Sequence, residues 1–114
     1  MRKIENLLGM KEKVWFYLKD EELMEKFMRE AADEGFTWMS GKAIFPEDTG
    51  HIIGITKDKR IGHVSLYIWN MVFGNRENYE DSVLTVDYEK YIAGEEDYIC
   101  REAHFHSVEK RAAL

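Results

Sequence analysis

The order of apolar and polar positions predicts a strand and then an amphipathic helix in the first third of the chain. Residues 14–18 are all apolar and include β-branched and aromatic types, a run typical of a strand that is covered on both faces. Apolar residues then recur at helical spacing between Asp20, which can cap a helix N-terminus, and Gly35, which can end a helix. We therefore predict a helix over residues 20–34.

The middle of the chain predicts three further strands, at residues 36–39, 51–56 and 61–69. The charged turn at 57–60 makes a hairpin of the last two. In residues 61–69, aliphatic side chains alternate with polar and aromatic ones, which indicates two different sheet faces. The polar and aromatic face either meets solvent as a binding platform or packs under a second layer. Its members are His63, Ser65, Tyr67 and Trp69.

The remaining segments are shorter. Residues 70–82 contain a Gly-Asn pair and few aliphatic side chains, a pattern typical of a mobile loop. Residues 83–86 predict a strand, and Asp87 can cap a short helix over 88–93. Residues 98–100 predict a last short strand. Residues 1–12 indicate a frayed arm or a short helix, and residues 101–114 a C-terminal helix or tail.

Together these elements predict an α+β fold. We expect an antiparallel or mixed sheet of about four to five strands, with the main helix at 20–34 packed on one face. The chain has 114 residues, which suits one domain over 1–114. It contains a single proline, and 45% of its residues are apolar, so its composition is that of a folded protein.

The charge is concentrated in one segment. The chain holds 16 Lys and Arg against 22 Asp and Glu, a net charge of −6, which argues against a binder of nucleic acids or anionic membranes. Residues 76–97 contain two basic and eight acidic side chains, interleaved with tyrosines. This segment predicts either a solvated face or an acidic patch that docks on a host protein with a basic surface. The candidate binding residues are Glu77, Tyr79, Glu80, Asp81, Glu89, Glu95, Glu96 and Asp97.

The cysteine content and the apolar runs bear on the compartment. Cys100 is the only cysteine, so no intramolecular disulfide can form, and the start of the chain lacks the pattern of a secretory leader. The longest apolar run is far shorter than the roughly 20 residues of a membrane span. We predict a cytoplasmic protein with no membrane association, and the sequence leaves homo-oligomerisation open.

Cys100, His104 and His106 form the one cluster of soft or borderline metal ligands. Three such residues within seven positions could hold a metal, or support a small hydrolase in which the thiol is paired with a histidine base. The spacing lacks the two paired motifs of structural zinc sites, and no phosphate-binding glycine loop is present. We therefore predict a non-enzymatic protein without a cofactor, with metal binding and hydrolysis as alternatives.

A second alternative is a sponge or sensor that binds a nucleotide or another small molecule. The hairpin tip carries a basic cluster that could hold a phosphate, and nearby aromatic side chains could stack on a base. The candidate ligand-binding residues are Trp38, Lys57, Lys59, Arg60, His63, Tyr67 and Trp69.

Residues 35–41 read Gly-Phe-Thr-Trp-Met-Ser-Gly and follow the predicted strand and helix. This order resembles a diffuse class of small, mostly uncharacterised proteins of bacteriophages and mobile elements, over residues 13–69. The resemblance implies a genomic context. With the small size and the acidic segment, it leads us to expect an accessory protein that binds and inhibits a host protein, such as a CRISPR-type defence effector.

Overall fold

The computed structural model describes residues 2–104, and its centre is a five-stranded mixed sheet. The strands are β1 (Lys13–Tyr17), β2 (Thr37–Trp38), β3 (Ile52–Ile55), β4 (Arg60–His63) and β5 (Val83–Asp87). They lie in the order β2-β4-β3-β1-β5. β3 pairs antiparallel with both β1 and β4, whereas β1–β5 and β2–β4 are parallel pairs. The α+β class and the number of strands are confirmed.

Helices cover both faces of this sheet. They are a 3-10 helix (Ile4–Leu7), α1 (Glu21–Asp33), α2 (Leu66–Gly74), α3 (Arg76–Tyr79) and α4 (Tyr88–Ile92). The 3-10 helix, α1 and α4 contribute to the larger core, and α2 to the core on the opposite face. No helix in residues 2–104 has the length and apolar character needed to cross a membrane.

The predicted helix at 20–34 is confirmed as α1. The Asp20 side chain accepts a hydrogen bond from Leu23 N at 2.9 Å, and Gly35 adopts a left-handed φ of +89° just after the helix end. The apolar stripe of α1 is buried against the sheet, with Phe27 and Met28 fully covered. Local capping and helical spacing were therefore sufficient to define this element.

The predicted strand at 61–69 is wrong beyond His63. β4 ends there, and Ser65 caps α2 by accepting a hydrogen bond from Ile68 N at 3.2 Å. The segment is apolar on nearly every side, so alternation alone did not separate a strand from a helix. Helical spacing turns both Trp69 and Val72 towards the sheet, where they are buried. Packing therefore decides the conformation.

The predicted mobile loop at 70–82 is also wrong. α2 continues to Gly74, and the short helix α3 follows before β5 begins at Val83. Val72 is buried and Phe73 packs on the same core, so this stretch belongs to the second layer of the fold. The Gly-Asn pair ends α2 and does not open a loop.

The N-terminal end of the described chain packs on the body of the protein. Ile4 and Leu7 are buried, and the Glu34 carboxylate accepts hydrogen bonds from Ile4 N at 2.9 Å and Glu5 N at 2.7 Å. Of the two alternatives for residues 1–12, the structure shows the short helix. The predicted helix or tail at 101–114 lies mainly outside the described residues.

The segment at 98–100 extends the sheet beyond β5. Ile99 forms an antiparallel bridge with Val86, Cys100 N donates to Thr85 O at 2.9 Å, and Asp87 N donates to the carbonyl of Tyr98 at 2.7 Å. This contact covers the outer edge of β5 and fixes Cys100 beside it. The predicted short helix after Asp87 is confirmed as α4, with the Asp87 side chain as its cap.

Candidate functional site

β5 divides the acidic segment at 76–97 into two groups. Glu77, Glu80 and Asp81 precede this strand, whereas Glu89 and the acidic run at 95–97 follow it. A five-residue strand places its ends about 13 Å apart, at about 3.3 Å per residue. The structure therefore brings the predicted binding residues together as two separate groups.

Several of these residues already have partners. Arg101 Nη1 donates to both carboxylate oxygens of Asp97 at 2.8 Å, and this contact lowers the pKa of Asp97. The carbonyl oxygen of Glu95 accepts a hydrogen bond from Arg2 at 2.7 Å. Tyr79 is half-buried against the core beneath α2. Glu96, like the three carboxylates before β5, is exposed.

A denser acidic surface surrounds the N-terminus of α1. Carboxylates from three separate parts of the chain line three grooves that share residues there. We call this set the acidic pole: Asp20, Glu21, Glu22, Glu25, Glu47, Asp48 and Glu89. Lys26 lines one groove, while Lys19 pairs with Glu89 at 3.2 Å and Arg29 with Glu25 at 3.3 Å. The seven carboxylates of the acidic pole thus outnumber these three neighbouring cations, and the surface carries a net negative charge.

The loop before β3, which carries Glu47 and Asp48, also presents one exposed aromatic side chain. Asp48 Oδ2 accepts hydrogen bonds from Trp38 Nε1 at 2.8 Å and from Phe45 N at 2.9 Å, and these bonds hold the loop. Ile44 is buried beneath it, whereas the Phe45 side chain is 55% exposed. The sequence pointed to only one member of the acidic pole, Glu89, because the other six carboxylates lie outside the segment with the excess charge.

The aromatic part of the predicted nucleotide site does not assemble. Trp69 is fully buried, and its Nε1 donates to the carbonyl of Ala103 at 2.9 Å, so no ligand can stack on it. Tyr67 is 78% exposed on the outer side of α2. Trp38 is half-buried and stacks on His63, with ring centroids 4.8 Å apart. The predicted common face of His63, Tyr67 and Trp69 is therefore wrong, since a helix replaces the strand.

The basic part of that site is largely occupied by protein contacts. Lys59 Nζ donates to Glu5 Oε2 at 2.9 Å and to the carbonyl of Glu34 at 2.8 Å, and so ties the hairpin tip to the N-terminal segment. Arg60 donates to the carbonyl of Met39 at 2.9 Å and lies 3.3 Å from Asp58. Lys57 lines a groove on the other face of the sheet.

This groove has a volume of about 480 Å³ and lies over β3 and β4. Gly54 and Gly62 are register partners there, so neither strand projects a side chain at that point. Trp15 forms one wall, and His63 and Lys57 lie at its border. The groove thus contains two of the predicted ligand-binding residues. The paired glycines across a hairpin were the signal that sequence analysis missed.

A smaller recess of about 220 Å³ contains Cys100 and His104. One ligand atom from each, together with a carboxylate oxygen of Asp87, lies within 4.8 Å of the other two. His106, the third predicted ligand, lies outside the described residues. Burial and the nearby Asp87 carboxylate raise the pKa of Cys100 to about 12. A nucleophilic cysteine needs the opposite shift, so this environment does not favour the hydrolase alternative.

Comparison with known proteins adds no family to this description. No protein-family model, curated protein or solved structure matches this chain.

Proposed function

We propose that this chain is a non-enzymatic accessory protein of a bacteriophage or mobile element, which binds and inhibits a host protein with a basic surface. The observation that supports this function is the acidic pole, in which seven carboxylates from three chain segments line connected grooves. Such a surface is complementary to a basic groove and can compete there with the phosphates of a nucleic acid. A CRISPR-type effector is the kind of partner that fits.

Two features make the acidic pole suited to docking. Glu21 and Glu22 lie in the first turn of α1, so the helix fixes their backbone positions. The helix dipole also stabilises negative charge at this end of the helix. Phe45 adds a large exposed aromatic side chain beside Glu47 and Asp48. Protein interfaces commonly combine a buried aromatic anchor with a charged rim. Phe45 would be that anchor.

The proposed partner is a host protein in the cytoplasm, with no direct contact to nucleic acid or membrane. The resemblance of residues 13–69 to small phage and mobile-element proteins supports this context. The net charge of −6 also disfavours nucleic acid as the direct ligand.

The test compares two triple charge reversals in a target-DNA binding assay of a purified RNA-guided nuclease at low salt. One variant reverses Glu22, Glu25 and Glu47 to lysine in the acidic pole. The matched control reverses Glu77, Glu80 and Asp81 to lysine, which changes the net charge equally at the far end of β5 and also tests these sequence-predicted binding residues. We expect the first variant to weaken inhibition at least tenfold and the control to retain it. Equal inhibition by both variants would contradict the assignment to the acidic pole.

Phe45→Ala separates docking from bulk charge. This substitution leaves every carboxylate in place, so simple attraction between unlike charges would not change. Loss of a desolvated aromatic anchor commonly weakens an interface by about 2 kcal/mol or more. We expect inhibition to fall about tenfold or more in the same assay. Unchanged inhibition would exclude Phe45 from the interface.

The groove over Gly54 and Gly62 supports a second function, the binding of a small planar molecule such as a nucleotide. Its volume lies in the range of ligand sites, Trp15 gives an aromatic wall, and Lys57 gives a cation at the border. A ligand that binds the folded state raises the melting temperature. The test is a thermal-shift screen with nucleotides. Gly62→Val, which would place its side chain against the flexible Met39, should fill the groove and abolish any shift.

A further inference from the structure

Three side chains with different ligand chemistry meet at the end of β5. A carboxylate oxygen of Asp87, the Cys100 sulfur and a ring nitrogen of His104 all lie within 4.8 Å of one another. All three residues line the recess of about 220 Å³, which has room for an ion and a water molecule. Oxygen, sulfur and nitrogen donors of this kind are those that zinc accepts.

The backbone fixes two of these residues beside each other. Cys100 N donates to the carbonyl of Thr85 at 2.9 Å, and the buried Thr85 hydroxyl donates back to the carbonyl of Cys100 at 3.0 Å. Asp87 is the last residue of β5, and its N–H donates to the carbonyl of Tyr98 at 2.7 Å. The thiol and the carboxylate are therefore positioned by the extension of the sheet.

His104 reaches the same place by a less common backbone conformation. Its φ is +70°, in the left-handed region that residues other than glycine adopt infrequently. The imidazole stacks on Tyr17, with ring centroids 4.5 Å apart and planes 10° from parallel. This backbone conformation and the stacking contact together place the imidazole beside the thiol and the carboxylate.

We propose that Asp87, Cys100 and His104 bind a zinc ion, with a fourth position filled by water or by the neighbouring Glu102. Glu102 lines the same recess, and its Oε1 lies 3.9 Å from Nδ1 of His104. Zinc bonds of 2.0–2.3 Å at tetrahedral angles require ligand atoms roughly 3.4–3.6 Å apart. The three ligand atoms, all within 4.8 Å of one another, must therefore approach by about 1 Å when zinc binds. The site does not include the acidic pole and is independent of the proposed inhibition.

The other contacts of these ligands permit binding. Asp87 Oδ1 accepts a long hydrogen bond of 3.4 Å from Lys90 N. Arg101 and Lys90 also line the recess, but the Arg101 guanidinium is held by Asp97. Zinc binding releases the thiol proton of Cys100 to solvent and forms the zinc–thiolate bond.

The test is a titration of the metal-free full chain with Co²⁺, followed by displacement with Zn²⁺. We expect one Co²⁺ per chain and a thiolate-to-cobalt charge-transfer band in the near ultraviolet, which Zn²⁺ removes. His104→Gln should weaken binding by about 100-fold or more, because removal of a direct ligand should cost more than the roughly 10- to 100-fold that follows removal of an outer-shell partner. The matched control is His63→Gln, which alters another exposed histidine and should leave the affinity unchanged.

Folding of the variants is kept separate from binding. The His104 side chain is 27% exposed and stacks on Tyr17, so urea unfolding of the metal-free His104→Gln protein is measured beside its metal affinity, to separate loss of the ligand from loss of the fold. Asp87→Asn gives a second variant, because an asparagine can still cap α4 but is a poorer metal ligand. Absence of the thiolate band, or equal affinity of the His104→Gln and His63→Gln proteins, would overturn the proposal.

Discussion

At the residue scale, Trp69 organises the core on the α2 face of the sheet. It is fully buried, its ring lies 6.3 Å from those of Trp15 and Tyr17, and its Nε1 holds the carbonyl of Ala103. The Trp69 side chain thus contacts both the interior strand β1 and the segment that carries Cys100 and His104. The zinc site and the second core therefore depend on the same contact.

Truncation of this side chain should be costly. We expect Trp69→Ala to lower the free energy of unfolding by about 3–5 kcal/mol, because it leaves a cavity and an unpaired carbonyl. Tyr67→Ala is the control in the same helix, and its effect should stay within about 0.5 kcal/mol since Tyr67 is exposed. Urea denaturation measures both. Similar losses would contradict the helical assignment, in which Trp69 faces the sheet and Tyr67 faces solvent.

Glu30 gives a second residue-scale prediction, on pH dependence. A hydrogen bond with Glu34, together with burial, raises the pKa of Glu30 to about 7 from 4.5. Protonation therefore stabilises the folded state, and this contribution is complete below about pH 4.5 and lost as the pH rises through about 7. Glu30→Gln should add about 1–2 kcal/mol at about pH 8 and little at about pH 5.

The measurement for Glu30 is urea denaturation at both pH values. Glu25→Gln is the matched control, because Glu25 lies on the same helix but is exposed and paired with Arg29. Its effect should be below about 0.5 kcal/mol at either pH. An equal gain from Glu30→Gln at both pH values would show that its carboxylate does not hold a shared proton.

At the scale of the element, α2 begins because of a cap and stays helical because of the sheet. It carries no charged residue, and its outer side leaves Tyr67, Ile68 and Met71 exposed. Most of its stability must therefore come from the side that is buried on β1 and β3. The Ser65 hydroxyl supplies the local signal at its start.

Removal of the Ser65 hydroxyl tests whether this cap stabilises α2. Ser65→Ala should lower the free energy of unfolding by about 1 kcal/mol, because Ile68 N loses its acceptor. Ser65→Asp should restore most of the loss, since aspartate caps as well as serine. Thermal denaturation followed by circular dichroism measures both. If the aspartate variant is as unstable as the alanine variant, capping is not the role of Ser65.

At the scale of the whole molecule, one sheet serves two cores. Alternate residues of β1 enter opposite cores, with Phe16 on the α1 side and Trp15 and Tyr17 on the α2 side. Loss of either layer uncovers strands that the other layer requires. The two cores should therefore unfold together.

We expect a single unfolding transition. Trp15 and Trp69 lie on the α2 side of the sheet, and Trp38 lies on the α1 side. The fluorescence of a Trp38→Phe variant therefore reports on the α2 side, and that of a Trp15→Phe/Trp69→Phe double variant reports on the α1 side. Their midpoints should coincide with that from far-ultraviolet circular dichroism, as for a two-state domain. Separate midpoints for the two faces would show that the cores are independent.

The acidic pole and the zinc site also arise only at this scale. The acidic pole combines the start of α1, the loop before β3 and the start of α4. Asp87 joins Cys100 and His104 because residues 98–100 return along β5. Residues far apart along the chain become neighbours through strand pairing, so no local pattern could indicate either set in full.

Elements that depend on local interactions were predictable from the amino-acid order alone. Asp20 and Gly35 bounded α1, the charged turn at 57–60 made the hairpin of β3 and β4, and Asp87 capped α4. The helix at residues 66–74 was not predictable in this way, because its apolar pattern suits a strand or a helix and burial of Trp69 selects the helix. Caps and turns act within a few residues, whereas layers and sites require contacts between distant segments.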